Sequence, residues 1–404
     1  MLNSCLMTAS LKLKQGREKP VHNRHPWVFS GAISQIVGSP QPGEVVSVLD
    51  GNGRFLAHAY YNPHSQIRGR ILSWEENETI DENFWHSKLQ RAIAGRVALN
   101  LEPATTAYRL VNAEADGVPG LIVDKYGDFL VMQCLTLGID QRKMMLANLL
   151  ATLLQPRGIL ERSDASVRRK EGLTAVTALL WGEAPPATLN FRENGLHFTV
   201  DLHEGHKTGF YLDQRENRAI VGQPNIVGGQ EVLNTFAYTG GFAIYAAASS
   251  AGKIVNLDTS ASALTLAKAN IELNGWQRPD DEYVTADAFQ QLRAYRDNGR
   301  TFDAIILDPP KFANSQRDIQ QAARGYKDLN WLAFRLVRPG GWVATFSCSG
   351  LVTADLFQKI VFGAAIDAKR DVQILQFLSQ GPDHPVLLSF PESAYLKGFL
   401  CRVW

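Results

Sequence analysis

The chain has 404 residues, and its 41 lysines and arginines nearly balance 40 aspartates and glutamates, for a net charge of +1. A hydrophobic content of 45% and a charged content of 20% are those of an ordinary soluble globular protein, long enough for two or three domains. The balanced charge leaves any nucleic-acid partner to be argued from local patches, and no apolar run approaches a signal peptide or a membrane span. The four cysteines (Cys5, Cys134, Cys348, Cys401) are scattered without CxxC or metal-like spacing. That pattern argues against a disulfide framework or a zinc site and suits a reducing compartment, so a soluble cytoplasmic protein with no metal is expected.

Taken in order, residues 1–75 carry short strand-like runs, "EVVSVLD" and "FLAHAYY" among them, broken by Gly, Pro, Asn and Asp. They read as a small, mostly β domain. Its start is locally basic, with Lys12, Lys14, Arg17, Lys19 and Arg24 set against Glu18. Residues 76–187 read as a small α+β middle domain. "NFWHSKLQRAIAGRVALN" has helical spacing, and "GLIVDKYGDFLVMQCL" predicts two strands joined by a glycine-containing turn. "DQRKMMLANLLATLL" predicts a helix and "GILER" a strand, and "GEAPPATL" marks a boundary.

From residue 188 to 404 the rhythm is strand and helix in alternation. The strands "EVLNTFA", "KIVNLD", "DEYVTAD", "FDAIILD" and "GWVATFSC" are each followed by a helical stretch. Continuous apolar strands separated by helices predict a parallel sheet covered on both faces. Ligands of such sheets collect at the carboxyl ends of the strands.

The five strand ends carry the chemistry. After the first comes "NTFAYTGGF", whose glycines permit a tight turn into a helix N-terminus. After the second stands Asp258, placed to bond both hydroxyls of a ribose; a helix N-cap before "SASA" is the plain alternative. Asp287 follows the third strand, where an adenine edge or, again, an N-cap would explain it. "LDPPKF" follows the fourth: two prolines hold the backbone extended and remove two amide donors, leaving carbonyls and Asp308 to meet a base edge. The fifth ends at Cys348. A lone cysteine is ordinarily an inert small hydrophobe, and Cys134 and Cys401 are read that way. Cys348 differs by its polar flanks and by a helix that follows closely, which suit a thiolate nucleophile.

"NTFAYTGGF", "NLDTS", "LDPPKF", "RGYKDLN" and "TFSCSGL" together resemble the motifs of the class I (Rossmann-like) S-adenosylmethionine-dependent methyltransferases. More narrowly they resemble the large-subunit rRNA cytosine-C5 enzymes. "GHKTGFYLDQRENR" is similar to that family's upstream cofactor-side motif, "GREKPVHNRHPWVFSGAI" to the start of its N-terminal PUA domain, and "EADGVPGLIVDKYGDFLVMQ" to its middle domain. "DHPV" and "YLKGFLCRV" fit its closing strands. The likeness covers essentially the whole chain and lines up best from Met7, which leaves residues 1–6 as an expected frayed leader.

The resemblance implies S-adenosylmethionine as cofactor, held by Asp213, Arg215, Phe236, Tyr238, Gly240, Asp258, Asp287 and Ala288. It implies 23S rRNA, or a large-subunit assembly intermediate, as partner, with cytosine 1962 as target. Cys348 would add to C6 of that cytosine and Asp308 would bond N3, with Pro309 offering a carbonyl to the N4 amine. Lys311 stands where a related group of enzymes carries a second cysteine, so a single-cysteine enzyme is expected; Lys311 contacts phosphate or is a solvated turn residue. Lys14, Arg17, Lys19 and Arg24 would meet RNA phosphates, and "RSDASVRRKEG" supplies a second basic cluster of open role. The target base must be unstacked to enter the pocket. An exocyclic-amine methyltransferase and a non-catalytic rRNA-binding protein are the competing readings. Monomer and homodimer both remain open.

Overall fold

Period-2 alternation of apolar and polar side chains builds the first sheet of this computed structural model, which describes residues 9–313 and 315–404. The expected leader, residues 1–6, lies outside the described residues. Strand β1 (Ser10–Leu13) leads through helix α1 (Lys19–His22) to β2 (Trp27–Phe29), β3 (Ile33–Val37), β4 (Val45–Leu49), β5 (Phe55–Tyr61) and β6 (Ile67–Ser73). Their order in the sheet is β2-β6-β5-β4-β1-β3. In β4, Val46 and Val48 are buried while Val45, Ser47 and Leu49 are half-buried, as a sheet with one covered face requires.

Helix α2 (Glu82–Val97) starts where Asp81 accepts a hydrogen bond from the Phe84 amide, a side-chain cap for one of the orphan donors of the first turn. The chain continues through β7 (Ala107–Asn112), β8 (Leu121–Tyr126), β9 (Phe129–Cys134), α3 (Leu137–Asp140), α4 (Lys143–Leu154), β10 (Gly158–Ser163) and β11 (Val176–Gly182), in a sheet of order β11-β10-β9-β8-β7. The hairpin expected in "GLIVDKYGDFLVMQCL" is β8–β9, turned over Gly127 at φ +56°. The helix expected from Asp140 begins instead at Lys143. Arg142 leaves helical geometry there and donates to the carbonyls of Gly138 (2.8 Å) and Gly43 (3.0 Å).

The two sheets share a core: Tyr60 and Leu72 of the first pack with Trp85, Leu110, Val123 and Leu150. The Tyr60 hydroxyl is 2.7 Å from both the Pro119 carbonyl and Thr136 Oγ1, and buried Arg70 bridges Glu114 (2.6 Å) and Glu171 (2.9 Å). Residues 9–191, 200–211 and 382–393 belong to this compact unit. "DHPV" is therefore a loop of this unit, buried at Asp383 and His384, and no closing strand. Asp383 accepts from the Arg109 amide, and its own carbonyl accepts from Arg96, both at 3.0 Å; those bonds occupy groups that a sheet ladder would need.

A hairpin of β12 (Leu189–Glu193) and β13 (Leu196–Val200) follows, and the second unit comprises residues 192–199, 212–381 and 394–404. Its elements are α5 (Arg215–Val221), α6 (Pro224–Val227), β14 (Glu231–Thr235), α7 (Gly241–Ala248), β15 (Lys253–Asp258), α8 (Ala261–Leu273), β16 (Glu282–Thr285), α9 (Ala288–Asp297), β17 (Phe302–Leu307), α10 (Ile319–Leu336), β18 (Val337–Ser347), α11 (Ala354–Ala368), β19 (Val372–Ser379) and β20 (Lys397–Val403). The seven strands run in the order β16-β15-β14-β17-β18-β20-β19. The first five are parallel, and β20 is antiparallel to both of its neighbours. In α10, Ala322, Tyr326, Leu329, Ala333 and Leu336 recur at helical spacing and are buried against the sheet, each large apolar side chain contributing about 1.5–3 kcal/mol. Because β14 lies between β15 and β17, the chain reverses its winding direction there, and a crevice opens at the carboxyl ends. Among the described residues no helix is long and apolar enough to cross a membrane.

Candidate active site

The loop after β14 bends sharply. Phe236 and Tyr238 sit at φ +57° and +48°, and Gly240 at +82°. Two non-glycine residues in the left-handed region cost on the order of 1 kcal/mol each or more, and persist only where neighbours hold them. Here the Tyr238 amide donates to Asp258 Oδ2 (2.9 Å) and the Ala237 amide to the Leu257 carbonyl (3.1 Å). At Gly240 a Cβ would stand 2.9 Å from that of Ala267, so glycine is what lets this turn lie against α8.

Asp258 closes β15 but does not cap α8. Ser260 does so, accepting from the Ala263 amide (3.2 Å), while the second Asp258 oxygen accepts from the Ser260 amide (2.9 Å). A carboxylate has about four acceptor positions, so Asp258 keeps capacity for hydroxyl donors beside the strained loop. Asp287 is the N-cap of α9, accepting from the Gln290 amide (3.0 Å), and Ala288 is the buried first residue of that helix. Asp213 and Arg215 are buried just before and at the start of α5. Asp213 accepts from the Tyr395 hydroxyl (2.6 Å), and Arg215 donates to Glu216 (3.0 Å). A bent loop, an acceptor-rich carboxylate and a capped helix N-terminus at three successive strand ends fit a ligand with an adenosine part and a polar tail.

β17 and β18 are parallel neighbours, with Leu307 opposite Thr345. Strand β18 ends at Ser347, so Cys348 is the first residue past the strand rather than its last, and it is half-buried. Its thiol lies 3.9 Å from the Pro309 carbonyl oxygen. Asp308 is held by Gln214, whose Nε2 donates to Oδ1 at 2.9 Å; Asn217 in turn donates to Gln214 Oε1 at 2.6 Å. Ser349 ties the two loops together: its Oγ accepts from the amides of Phe312 (3.2 Å) and Ala313 (3.4 Å) and lies 3.0 Å from the Tyr326 hydroxyl. Burial raises the Tyr326 hydroxyl above its usual range, and a charge on Cys348 pushes the same way.

Beneath this loop lies Lys397, the first residue of β20, paired in register with Ser347. Its ammonium is buried and donates to the carbonyls of Ser349 and Val352, each at 2.7 Å. Burial pushes Lys397 down to about 8, against an opposing pull from Cys348. Lys311, in contrast, is exposed after the second proline.

Gln214, Tyr326, Ser349 and Lys397 escaped the sequence reading. Gln214 and Tyr326 stand inside quoted motifs. Lys397 carried its own signal, a cation opening the apolar run "GFLC". The basic residues of the first sheet divide. Lys14 donates to the Gly31 carbonyl (2.9 Å), and Arg17 lines a small hollow with His25, Trp27 and Phe29. Lys19 is exposed at the start of α1, while Arg24 stacks on Trp74 (5.2 Å) beside a cavity of about 420 Å³ that Lys88 and Arg91 also line. In the second cluster, buried Arg162 and Arg168 are engaged with protein carbonyls and carboxylates, and only Arg169 and Lys170 face outwards.

Comparison with known proteins accords with this geometry. Residues 11–74 match the model of a PUA-like domain, and residues 168–392 that of an S-adenosylmethionine-dependent methyltransferase. The chain is 49% identical over 398 residues to ribosomal RNA large subunit methyltransferase I of Shewanella amazonensis, covering 98% of this chain and 100% of that protein. It is 46% identical over 397 residues to the protein of that name from Shigella flexneri, with the same coverage. Two solved structures share the fold at 24% identity, each across 97% of this chain and 99% of the other. One is a methyltransferase from Streptococcus mutans (TM-score 0.84), the other a methyltransferase complexed with SAH (TM-score 0.85). S-adenosylmethionine is thus the cofactor, and the chain belongs to the S-adenosylmethionine-dependent methyltransferases, in the family of ribosomal RNA large subunit methyltransferase I.

Proposed function

We propose that this protein methylates C5 of a cytosine in 23S rRNA, cytosine 1962 on the family resemblance, through a covalent bond between Cys348 and C6. The observation that carries the reading is the 3.9 Å approach of the Cys348 thiol to the Pro309 carbonyl. The two groups stand together at neighbouring strand ends, so both can meet one pyrimidine placed against them, the thiol at a ring carbon and the carbonyl at the exocyclic amine. The names of the relatives support the rRNA substrate, and the PUA-like match over residues 11–74 supports an RNA-binding role for residues 1–75. Residues 76–187 are then the middle domain and residues 188–404 the catalytic one.

When bound, S-adenosylmethionine supplies the electrophilic methyl group that C5 receives. Asp213, Arg215, Phe236, Tyr238, Gly240, Asp258, Asp287 and Ala288 hold it. Cytosine C5 is a weak nucleophile until sulfur adds to the ring. The Cys348 thiolate forms a bond to C6, and the π pair of the C5–C6 bond moves to C5. Asp308 bonds N3 and stabilises the charge that develops on the ring, and the Pro309 carbonyl accepts from the N4 amine. After C5 is methylated, a general base takes the C5 proton. That electron pair restores the C5–C6 double bond and expels the thiolate. With Lys311 after the second proline, no second thiol stands there to assist, so Cys348 acts alone. Lys14, Arg17, Lys19 and Arg24 contact phosphates in this scheme.

Incubation with 23S rRNA fragments containing 5-fluorocytosine tests it. Fluorine cannot leave C5 as a proton does, so a cofactor-dependent protein–RNA adduct is expected, absent in Cys348→Ala. Full methylation activity in Cys348→Ala would instead favour transfer to an exocyclic amine, and failure to bind S-adenosylmethionine in calorimetry would favour a non-catalytic RNA-binding protein.

A further inference from the structure

A buried lysine that faces carbonyl oxygens is an expensive feature. Removing an ammonium from water is costly unless its protons are bonded and a negative charge lies close. Lys397 has the first of these: two carbonyl acceptors, at 2.7 Å each, with the residue 8% exposed. Both acceptors, Ser349 and Val352, belong to the turn that follows Cys348, and Val352 is itself hydrogen-bonded back to Ser349 (amide to carbonyl, 3.0 Å). Lys397 therefore grips the turn immediately beyond the thiol. β20 holds it there, because the ladder pairs Lys397 with Ser347 on one side and with Ser379 on the other. Ser349 Oγ, on the same turn, takes the amides of Phe312 and Ala313 and so ties the turn to the loop carrying Asp308 and Pro309.

The remaining requirement is the negative charge. Titratable groups near this turn include Asp308 and Lys311 on the loop after β17, Tyr326 on α10 and Lys397 on β20. Tyr326, raised by burial, is neutral near neutral pH, Lys311 is exposed, and Lys397 is the buried cation beside the turn. A neutral residue in its place would leave the carbonyls of Ser349 and Val352 without these donors and the thiolate without this counter-charge.

We infer that Lys397 is a positioning residue for the methyl-transfer reaction, whose buried ammonium both holds the turn after Cys348 and keeps the sulfur ionised for attack. The inference rests on Cys348 being the nucleophile, but it concerns the thiol itself and is measured without RNA.

The experiment follows the rate of Cys348 alkylation by iodoacetamide against pH, by mass spectrometry of the full chain carrying Cys5→Ser; Cys134 and Cys401 are fully buried and react slowly. In Lys397→Met the midpoint of the rate profile moves to higher pH, and alkylation near neutral pH slows about tenfold. Retained S-adenosylhomocysteine binding shows that the variant is folded, and Lys397→Arg, which keeps the charge, restores most of the rate. An alkylation profile in folded Lys397→Met within about twofold of the parent overturns the inference and leaves Lys397 a structural clamp. Should Lys397→Met not fold, the coupling is read from the other side. In carbon-13 lysine-labelled protein, Cys348→Ala moves the Lys397 titration to lower pH, and an unmoved titration overturns the inference. A shifted thiol without a 5-fluorocytosine adduct would retire the nucleophile and keep the coupling, whereas an adduct with an unshifted thiol would retire the coupling alone.

Discussion

The thiol of Cys348 and the carbonyl oxygen of Pro309 face each other at 3.9 Å from the ends of two neighbouring parallel strands. These residues are 39 positions apart in the chain, and the pairing of β17 with β18 brings them together. Pro310 restricts the residue before it to extended backbone, which keeps the Pro309 carbonyl out of a helical turn.

Asp258 holds the loop after β14, the loop proposed above to bind the cofactor. Asp258→Ala removes the partner of the Tyr238 and Ser260 amides and releases a loop strained at Phe236 and Tyr238. Loss of two charge-assisted bonds, at about 1.5–3 kcal/mol each and partly recovered by water, is expected to weaken S-adenosylmethionine binding by about 100-fold. Titration calorimetry checks this, and Asp258→Asn is expected to recover part of the affinity.

Gln214 acts through Asp308. Gln214→Ala leaves the Asp308 carboxylate without its 2.9 Å donor and so less fixed in orientation. A fall in kcat of about tenfold is expected, about 1.4 kcal/mol, with cofactor affinity unchanged. A changed cofactor Kd at constant kcat would place Gln214 on the other side of the pocket.

Lys397 gives the second unit a distinctive pH dependence. Its folded value near 8 lies below the unfolded value of about 10.4. Between those pH values the unfolded chain holds a proton that the native state has released, so this residue's contribution to stability rises with pH across that window, by up to about 3 kcal/mol. Cys134 and Cys401 oppose it: burial raises both to about 12, so their contribution is present below the unfolded thiol range and is lost as pH rises towards 12. Urea unfolding of wild type and Lys397→Met from about pH 7 to 10.5 separates these effects. Both proteins lose stability to the buried thiols, and the difference between them moves in favour of wild type as pH rises. A pH-independent difference would mean that Lys397 titrates normally in the folded protein.

Much of the second unit was legible because its signals are local. Strand "FDAIILD" is a continuous apolar run, bounded by polar residues, that a doubly covered parallel strand needs, and "DPP" restricts its own backbone whatever surrounds it. Cys348 was legible as a candidate through its polar flanks. The loop "DHPV" was misread as a strand because four residues carry no period. What holds Asp383 is the amide of Arg109, 274 positions away. The "RSDASVRRKEG" cluster shows the same limit, since sequence counts cations but does not show that Arg162 and Arg168 are buried among carbonyls.

By itself, then, the amino-acid sequence determined the alternation of strands and helices, the turn chemistry at each strand end, and the presence of a thiol beside an Asp-Pro-Pro loop. Each follows from side-chain periodicity or from dihedral limits acting within a few residues. The tertiary structure alone decided which ends are neighbours. Sheet order sets Cys348 against Pro309 and Lys397 against the turn after Cys348, and the packing of the segment before α5 sets Gln214 against Asp308. Those pairings depend on ladder register and helix packing between segments up to 94 residues apart, and nothing in the local sequence encodes such distances one pair at a time.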